Sequence, residues 1–208
     1  MRLLGGKIYY GWLALAAISG INFANSVTSI GMLTVFVLPM SDEFGWNRTQ
    51  ISGATSVGAI LGAVAAPVMG RVSDRIGARA ILSFGGLLIV VAMVYLSLMQ
   101  TLLGFYFAFG MARLSDQGFV QSVSPPTVAN WFLKYRGRAM AGLFFVTSTG
   151  GIILPLLAQT VIQGWGWREA WGVMAVVMAV VGVTPVALIV RRQPEAIGLQ
   201  IDGRQTPE

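Results

Sequence analysis

Between two long apolar stretches the chain reads Gly70-Arg71-Val72-Ser73-Asp74-Arg75-Ile76-Gly77-Ala78-Arg79. Four charges crowded between segments this apolar leave few folds open. An ordinary soluble domain carries about 25% charged residues, whereas this chain has 11% charged against 55% hydrophobic residues. Such a sequence cannot cover a surface in water. Lipid is the solvent that suits it, and the charged stretch is where the chain turns at the membrane surface.

A bilayer core is crossed by about 20 apolar residues in a helix. Six such spans are read: Tyr10–Leu38, Ile51–Met69, Ala80–Leu98, Leu102–Ser124, Ala139–Ile162 and Ala170–Val190. The expected fold is an all-α membrane protein, a bundle over residues 1–192 followed by a polar cytoplasmic linker or tail over 193–208. The first span is too long for a straight crossing, so it should tilt, bend or protrude, with Gly20 and Gly31 as soft points. Pro67 should bend the second span locally without breaking it. Gly58, Gly62, Ala66 and Gly70 recur at intervals of four, a smooth face on which another helix can pack closely. Three spans fall in each half of the chain. An odd number per half places the halves in opposite orientation, which reads as a 3+3 inverted repeat.

Charge in the loops sets the orientation. Arg2 and Lys7, then Arg71, Arg75 and Arg79, then Lys134, Arg136 and Arg138, then Arg191, Arg192 and Arg204 all fall on one side. The other side holds Arg48 and Arg168. Basic residues favour the cytoplasm, so both termini are placed there, in a plasma membrane or, in a bacterium, the inner membrane. Trp12, Trp46, Trp131, Trp165, Trp167 and Trp171 all fall near span ends, as an interfacial aromatic belt would place them. The net charge of +6 also raises nucleic acid as a partner. The charges sit in loops rather than along one helix face, so no nucleic acid is expected.

Several chemistries drop out at once. The chain has no cysteine and no histidine, which removes disulfides, thiolate metal sites and the commonest acid–base and metal-binding side chain. No enzyme, metal site or cofactor is expected.

Within the spans, polar residues cluster. Arg113 and Asp116 lie near the middle of the fourth span, each costing about 3 kcal/mol on insertion scales. At i, i+3 they share a face and partly neutralise each other. Gln117 and Gln121 extend that face. The first span offers Ser19, Asn22, Ser26 and Ser29, with Asn25 beside them, and the fifth adds Thr147, Ser148 and Thr149. Two readings stand for the charged pair: a buried ion pair that fixes packing, or groups that handle a substrate or a proton. The serines and asparagines either bond across helices or line the same path. Asp116 could take up and release a proton if a neighbour or burial raised its pKa. Arg113 stays charged and suits a carboxylate through paired donors.

The opening stretch resembles the major facilitator superfamily loop between helices two and three, Gly-x3-Asp-Arg/Lys-x-Gly-x-Arg/Lys. Gly70, Asp74, Arg75, Gly77 and Arg79 match, and Ala78 departs from a commonly basic position. The resemblance implies a conformational gating role for these five residues. Gly77 would supply a turn with φ > 0, and Asp74 and Arg75 a cytoplasmic charge network. Tyr10-Gly11-Trp12, Glu43–Arg48, Trp131–Ala139, Arg113-x3-Gln117-Gly118 and Pro194-Glu195-x-x-Gly198-Leu199 are similar to the monocarboxylate transporter and oxalate/formate antiporter branch. That branch implies a small organic anion as substrate, with or without a proton, and an arginine facing a central cavity. The substrate pathway so implied comprises Asn22, Asn25, Ser26, Arg113, Asp116, Gln117 and Gln121. The fifth span keeps only Gly150-Gly151 and Pro155 of the antiporter pattern Gly-x3-Gly-Pro-x2-Gly-Gly, so antiport is not favoured over proton symport.

Members of the family are built from two six-helix halves. This chain resembles the N-terminal one, so its expected partners are the lipid bilayer and a second half, either a C-terminal continuation or another chain. The competing reading is a membrane module that does not transport, a receptor or assembly partner reusing the fold.

Overall fold

A computed structural model describes residues 9–191. The basic residues Arg2, Lys7, Arg192 and Arg204, the Pro194–Leu199 motif and the linker over 193–208 lie outside the described residues. Among the described residues every regular element is helical. The helices are α1 (Tyr10–Asn25), α2 (Ile30–Phe44), α3 (Arg48–Ile76), α4 (Ala78–Leu98), α5 (Leu102–Ser115), α6 (Ser122–Trp131), α7 (Arg136–Trp165), α8 (Trp167–Val177) and α9 (Thr184–Ile189). A short 3₁₀ turn, Ser26–Thr28, joins α1 to α2. Two π-helical segments, Asp116–Gln121 and Met178–Val183, continue α5 into α6 and α8 into α9.

Five helical runs are long and apolar enough to cross a membrane: Tyr10–Phe44, Arg48–Ile76, Ala78–Leu98, Arg136–Trp165 and Trp167–Ile189. The run from Leu102 to Trp131 is helical throughout but carries Arg113, Asp116, Gln117 and Gln121, which lower its hydropathy. The outer surface is that of a protein bathed in hydrocarbon. Val64 is 71% exposed, Phe145 73% and Ile152 65%, and water would charge about 25 cal/mol for each Å² of such surface.

The packing has a repeating plan. Helix α3 lies along α5 and its π-helical continuation, and α7 lies along α1. Helix α4 packs on both α5 and α8, and the π segment Met178–Val183 packs on α1. The joints repeat as well. A single glycine, Gly77 (φ 96°, ψ 145°), connects α3 to α4, and a single glycine, Gly166 (φ 111°, ψ 168°), connects α7 to α8. Both lie in a backbone region that side chains with a Cβ rarely enter.

Two expectations need correction. The first span bends at Ser26–Thr28, not at Gly20 or Gly31. Ser29 restarts the helix, with an extended backbone and a side chain that accepts from the Met32 N–H at 3.1 Å. Gly20 instead lets the Val181 carbonyl approach to 2.8 Å from where a Cβ would stand. Secondly, the charged stretch is mostly not a loop. Helix α3 runs unbroken through Pro67 and Gly70 to Ile76, and the turn is Gly77 alone. The tryptophans near the span ends differ in what they face. Trp165 is exposed, whereas Trp131 and Trp171 are fully buried. The Trp171 ring stacks on Phe36 with centroids 3.8 Å apart, and Trp131 packs against Tyr9 and Tyr10. Nearness to a span end does not decide which way an indole faces.

Candidate functional site

The 3₁₀ break in the first span faces the π-helical break in the fourth, and the polar residues of both meet there. A π segment inserts one residue into the helical repeat and rotates the next turns of the helix, a feature frequent at functional sites. Asp116 opens that segment and is buried, its side chain 2% exposed. Four donors surround its carboxylate. Oδ1 accepts from Asn25 Nδ2 at 2.6 Å and from Gln121 Nε2 at 2.8 Å. Oδ2 accepts from Arg113 Nη1 at 2.9 Å and from Thr28 Oγ1 at 3.0 Å.

Arg113 is 11% exposed and reaches three ways. Its Nη1 also donates to the Thr28 carbonyl at 3.2 Å. With the Gln117 amide turned so that its oxygen faces donors, Nη2 donates to Gln117 at 3.0 Å, and Gln117 donates to the Ala59 carbonyl at 3.0 Å. The Arg113 Nε and the Asn25 Oδ1 are buried with no hydrogen-bond partner.

Space for these side chains comes from α3. A Cβ on Gly58 would collide with the Arg113 side chain, and one on Gly62 would stand 2.7 Å from Gln117 Cβ. The small-residue face of the second span is thus a packing face for two of its four residues. Gly70 meets nothing within 4 Å of a Cβ position, and it lies further along the helix.

Of the seven residues expected on the pathway, Asn25, Arg113, Asp116, Gln117 and Gln121 form one connected network. Asn22 and Ser26 do not join it. Asn22 donates to Ser124 at 2.9 Å and to the Ile18 carbonyl at 2.8 Å, and Ser26 donates to the Thr147 carbonyl at 3.2 Å. Both tie the first span to its neighbours. Of the five residues expected to take part in gating, Gly70 and Asp74 line a cavity of about 300 Å³ shared with Ser73, Ser122, Thr127 and Asn130. Arg75 and Arg79 are exposed beside it, and Gly77 is the joint itself. Thr28 went unnoticed in the sequence. Its signal would have been the polar run Asn25-Ser26-Val27-Thr28-Ser29, too dense for the middle of a straight membrane helix.

At the opposite end of α2, Glu43 accepts from Trp167 Nε1 at 2.7 Å and pairs with Arg168 at 2.7 Å. The Arg168 guanidinium lies over the Trp167 ring, 4.2 Å from its centroid. This exposed cluster fastens the end of the first span to the start of α8.

Comparison with known proteins agrees with the motifs. The family model described as Major Facilitator Superfamily matches residues 13–205. Similar curated proteins include the fujikurins efflux protein of Gibberella fujikuroi, 26% identical over 61% of this chain and 27% of its own length. Monocarboxylate transporter 11 of Mus musculus is 24% identical over 77% of this chain and 36% of its own. The oxalate:formate antiporter of Oxalobacter formigenes is 23% identical over 91% of this chain and 44% of its own. The chain therefore spans less than half the length of each of these relatives.

Proposed function

Since the chain belongs to the Major Facilitator Superfamily, we propose that it is one six-helix half of a secondary transporter for small organic anions, monocarboxylates in particular, working by alternating access. The observation that carries this reading is Arg113. A guanidinium buried in a membrane helix is costly, and such groups mark substrate or ion paths. Here three polar neighbours hold it in place, while its Nε–H remains buried and unpartnered. A carboxylate accepts from a guanidinium through two parallel bonds, and an unused Nε–H is one of the donors that pairing needs. The names of two relatives, a monocarboxylate transporter and an oxalate:formate antiporter, favour the same substrate class.

In this reading the run Leu102–Trp131 also crosses the membrane, as the fourth of six crossings. The matched packing of α3 on α5 and α7 on α1, with the matched glycine joints, supports a 3+3 inverted repeat. In the same reading Arg71, Arg75 and Arg79 fall on one membrane face with Lys134, Arg136, Arg138 and Arg191, the excess of basic residues expected of a cytoplasmic face in a plasma or inner membrane. Asp74 and Arg75 would meet the second half there.

The test is uptake of a radiolabelled monocarboxylate by proteoliposomes holding this chain together with its partner half. Saturable uptake that Arg113→Ala abolishes and Arg113→Lys only partly restores is the expected result. Unchanged uptake in Arg113→Ala would overturn it, and a complex that binds a partner but moves no anion would favour a non-transporting module.

A further inference from the structure

Gly110 is buried in the bundle, yet a Cβ built on it would meet nothing within 4 Å. The space it faces is a groove of about 760 Å³. Three helices shape it. Helices α3 and α4 are tied at Gly77 and pack more on α5 than on each other, so α5 is left uncovered between them away from that joint. Val57 and Leu61 of α3 form one wall and Tyr95 of α4 the other, while α5 lays the floor from Leu103 to Leu114. We propose that this groove holds one acyl chain of a membrane phospholipid, with the glycerol esters at the hydroxyls of Tyr95 and Tyr106 and the phosphate towards Arg48. The proposal rests on the reading of Leu102–Trp131 as a membrane crossing and takes nothing from Arg113.

Length, polarity and charge each favour that occupant. From Leu103 to Leu114 the floor runs about 16 Å along the helix axis. One leaflet supplies half of a hydrocarbon core about 30 Å thick, so a chain entering at the interface ends near where the floor ends. The entrance carries hydroxyls that the bundle does not use. Neither the Tyr95 nor the Tyr106 hydroxyl has a hydrogen-bond partner among the described residues. Two glycines make room for them: a Cβ on Gly104 would stand 3.1 Å from the Tyr95 hydroxyl, and one on Gly53 would collide with that of Tyr106. A phenol left unpaired in hydrocarbon is costly, and ester carbonyls are the acceptors that two such donors require.

Gly53 also lines a smaller notch with Arg48, Thr49, Ser52 and Ser56. The notch and the groove therefore meet at the Tyr106 hydroxyl. Arg48 is exposed and forms no ion pair among the described residues, so its guanidinium is available to a phosphate. Along α3 the order is Arg48, then Gly53 beside Tyr106, then Val57 and Leu61. A phospholipid entering from that end presents its parts in the same order: phosphate, ester, chain.

The test is native mass spectrometry of the full chain released from nanodiscs of palmitoyl-oleoyl-phosphatidylglycerol. Gly110→Leu fills the groove without touching a neighbour, and Gly172→Leu, with an equally unhindered Cβ on α8, is its control. Wild type and Gly172→Leu should retain one phospholipid that Gly110→Leu loses. Tyr95→Phe combined with Tyr106→Phe should weaken retention roughly tenfold, the size expected for two hydrogen bonds, and Arg48→Gln should weaken it as well. A Gly110→Leu chain that keeps its phospholipid, or a double tyrosine variant that retains it as wild type does, would overturn the proposal. If Gly110→Leu fails to fold, the double tyrosine variant, which loses only two hydroxyl oxygens, carries the test. Benzoylphenylalanine placed at position 107 in liposomes should cross-link to lipid; a cross-link to a second copy of the chain would put protein over the groove and overturn it too. No transport is needed for these readouts, so uptake indifferent to Arg113→Ala would remove the transport reading and leave the groove as it is.

Discussion

Removing Arg113 should destabilise the bundle mainly by stranding Asp116, and the size of the effect is set by the geometry. Arg113→Met leaves a carboxylate 2% exposed with three neutral donors and no cation. It also strips one donor from the Thr28 carbonyl and one from Gln117. Breaking one side of a buried ion pair costs about 3–5 kcal/mol. Asp116→Asn strands Arg113 in turn and should cost a similar amount. The double variant carries neither charge. The amide introduced by Asp116→Asn still accepts through its oxygen from part of the network, so the remaining cost is that of one or two unmatched donors, about 1–3 kcal/mol each. The double variant should therefore be no less stable than either single one, with a coupling energy of at least about 2 kcal/mol. Steric-trap unfolding in bicelles reads these differences directly. Single variants within about 0.5 kcal/mol of wild type, or a double variant equal to the sum of the singles, would refute the account of the pair as a mutually dependent buried unit.

Other substitutions probe the scaffold. A Cβ on Gly58 would overlap the Arg113 Cβ, so a larger side chain there must push α3 away from α5. Gly58→Leu should cost about 1–3 kcal/mol by overpacking, read as a lower melting temperature in detergent. Gly77→Ala should cost about 1–3 kcal/mol, since φ 96° suits glycine and an alanine is strained there; an unchanged melting temperature would argue against a fixed joint. Glu43→Gln should leave the melting temperature unchanged, because its pair with Arg168 is largely exposed and the amide oxygen still accepts from Trp167.

Much of this was legible in the sequence, for identifiable reasons. Helix length and polarity are one-dimensional signals, so five of the six spans read from the sequence coincide with helical runs long and apolar enough to cross a membrane. Arg113 and Asp116 sit three apart on one helix, and their pairing needs no knowledge of the rest of the fold. The opening motif located the turn at Gly77 but not the helix leading into it, because charges mark where a chain meets water rather than where a helix stops. The two π segments left no trace in composition, since each arises from the fit between whole helices. Thr28 escaped for a related reason: its importance depends on a break in the first span that brings it opposite Asp116. Asn22 and Ser26 carried the right polarity at the right spacing, yet they were claimed by Ser124 and the Thr147 carbonyl.

The single-residue joints at Gly77 and Gly166 leave the chain no slack. A one-residue joint spans two Cα–Cα steps, about 7 Å at most. The end of α3 and the start of α4, like the end of α7 and the start of α8, cannot draw further apart than that. Each pair is a helical hairpin tied end to end by one glycine. The polar breaks at Ser26–Thr28 and Asp116–Gln121 are a different kind of interruption, placed inside helical runs and facing one another, so the stiff corners of the bundle and its softest helical segments are in different places.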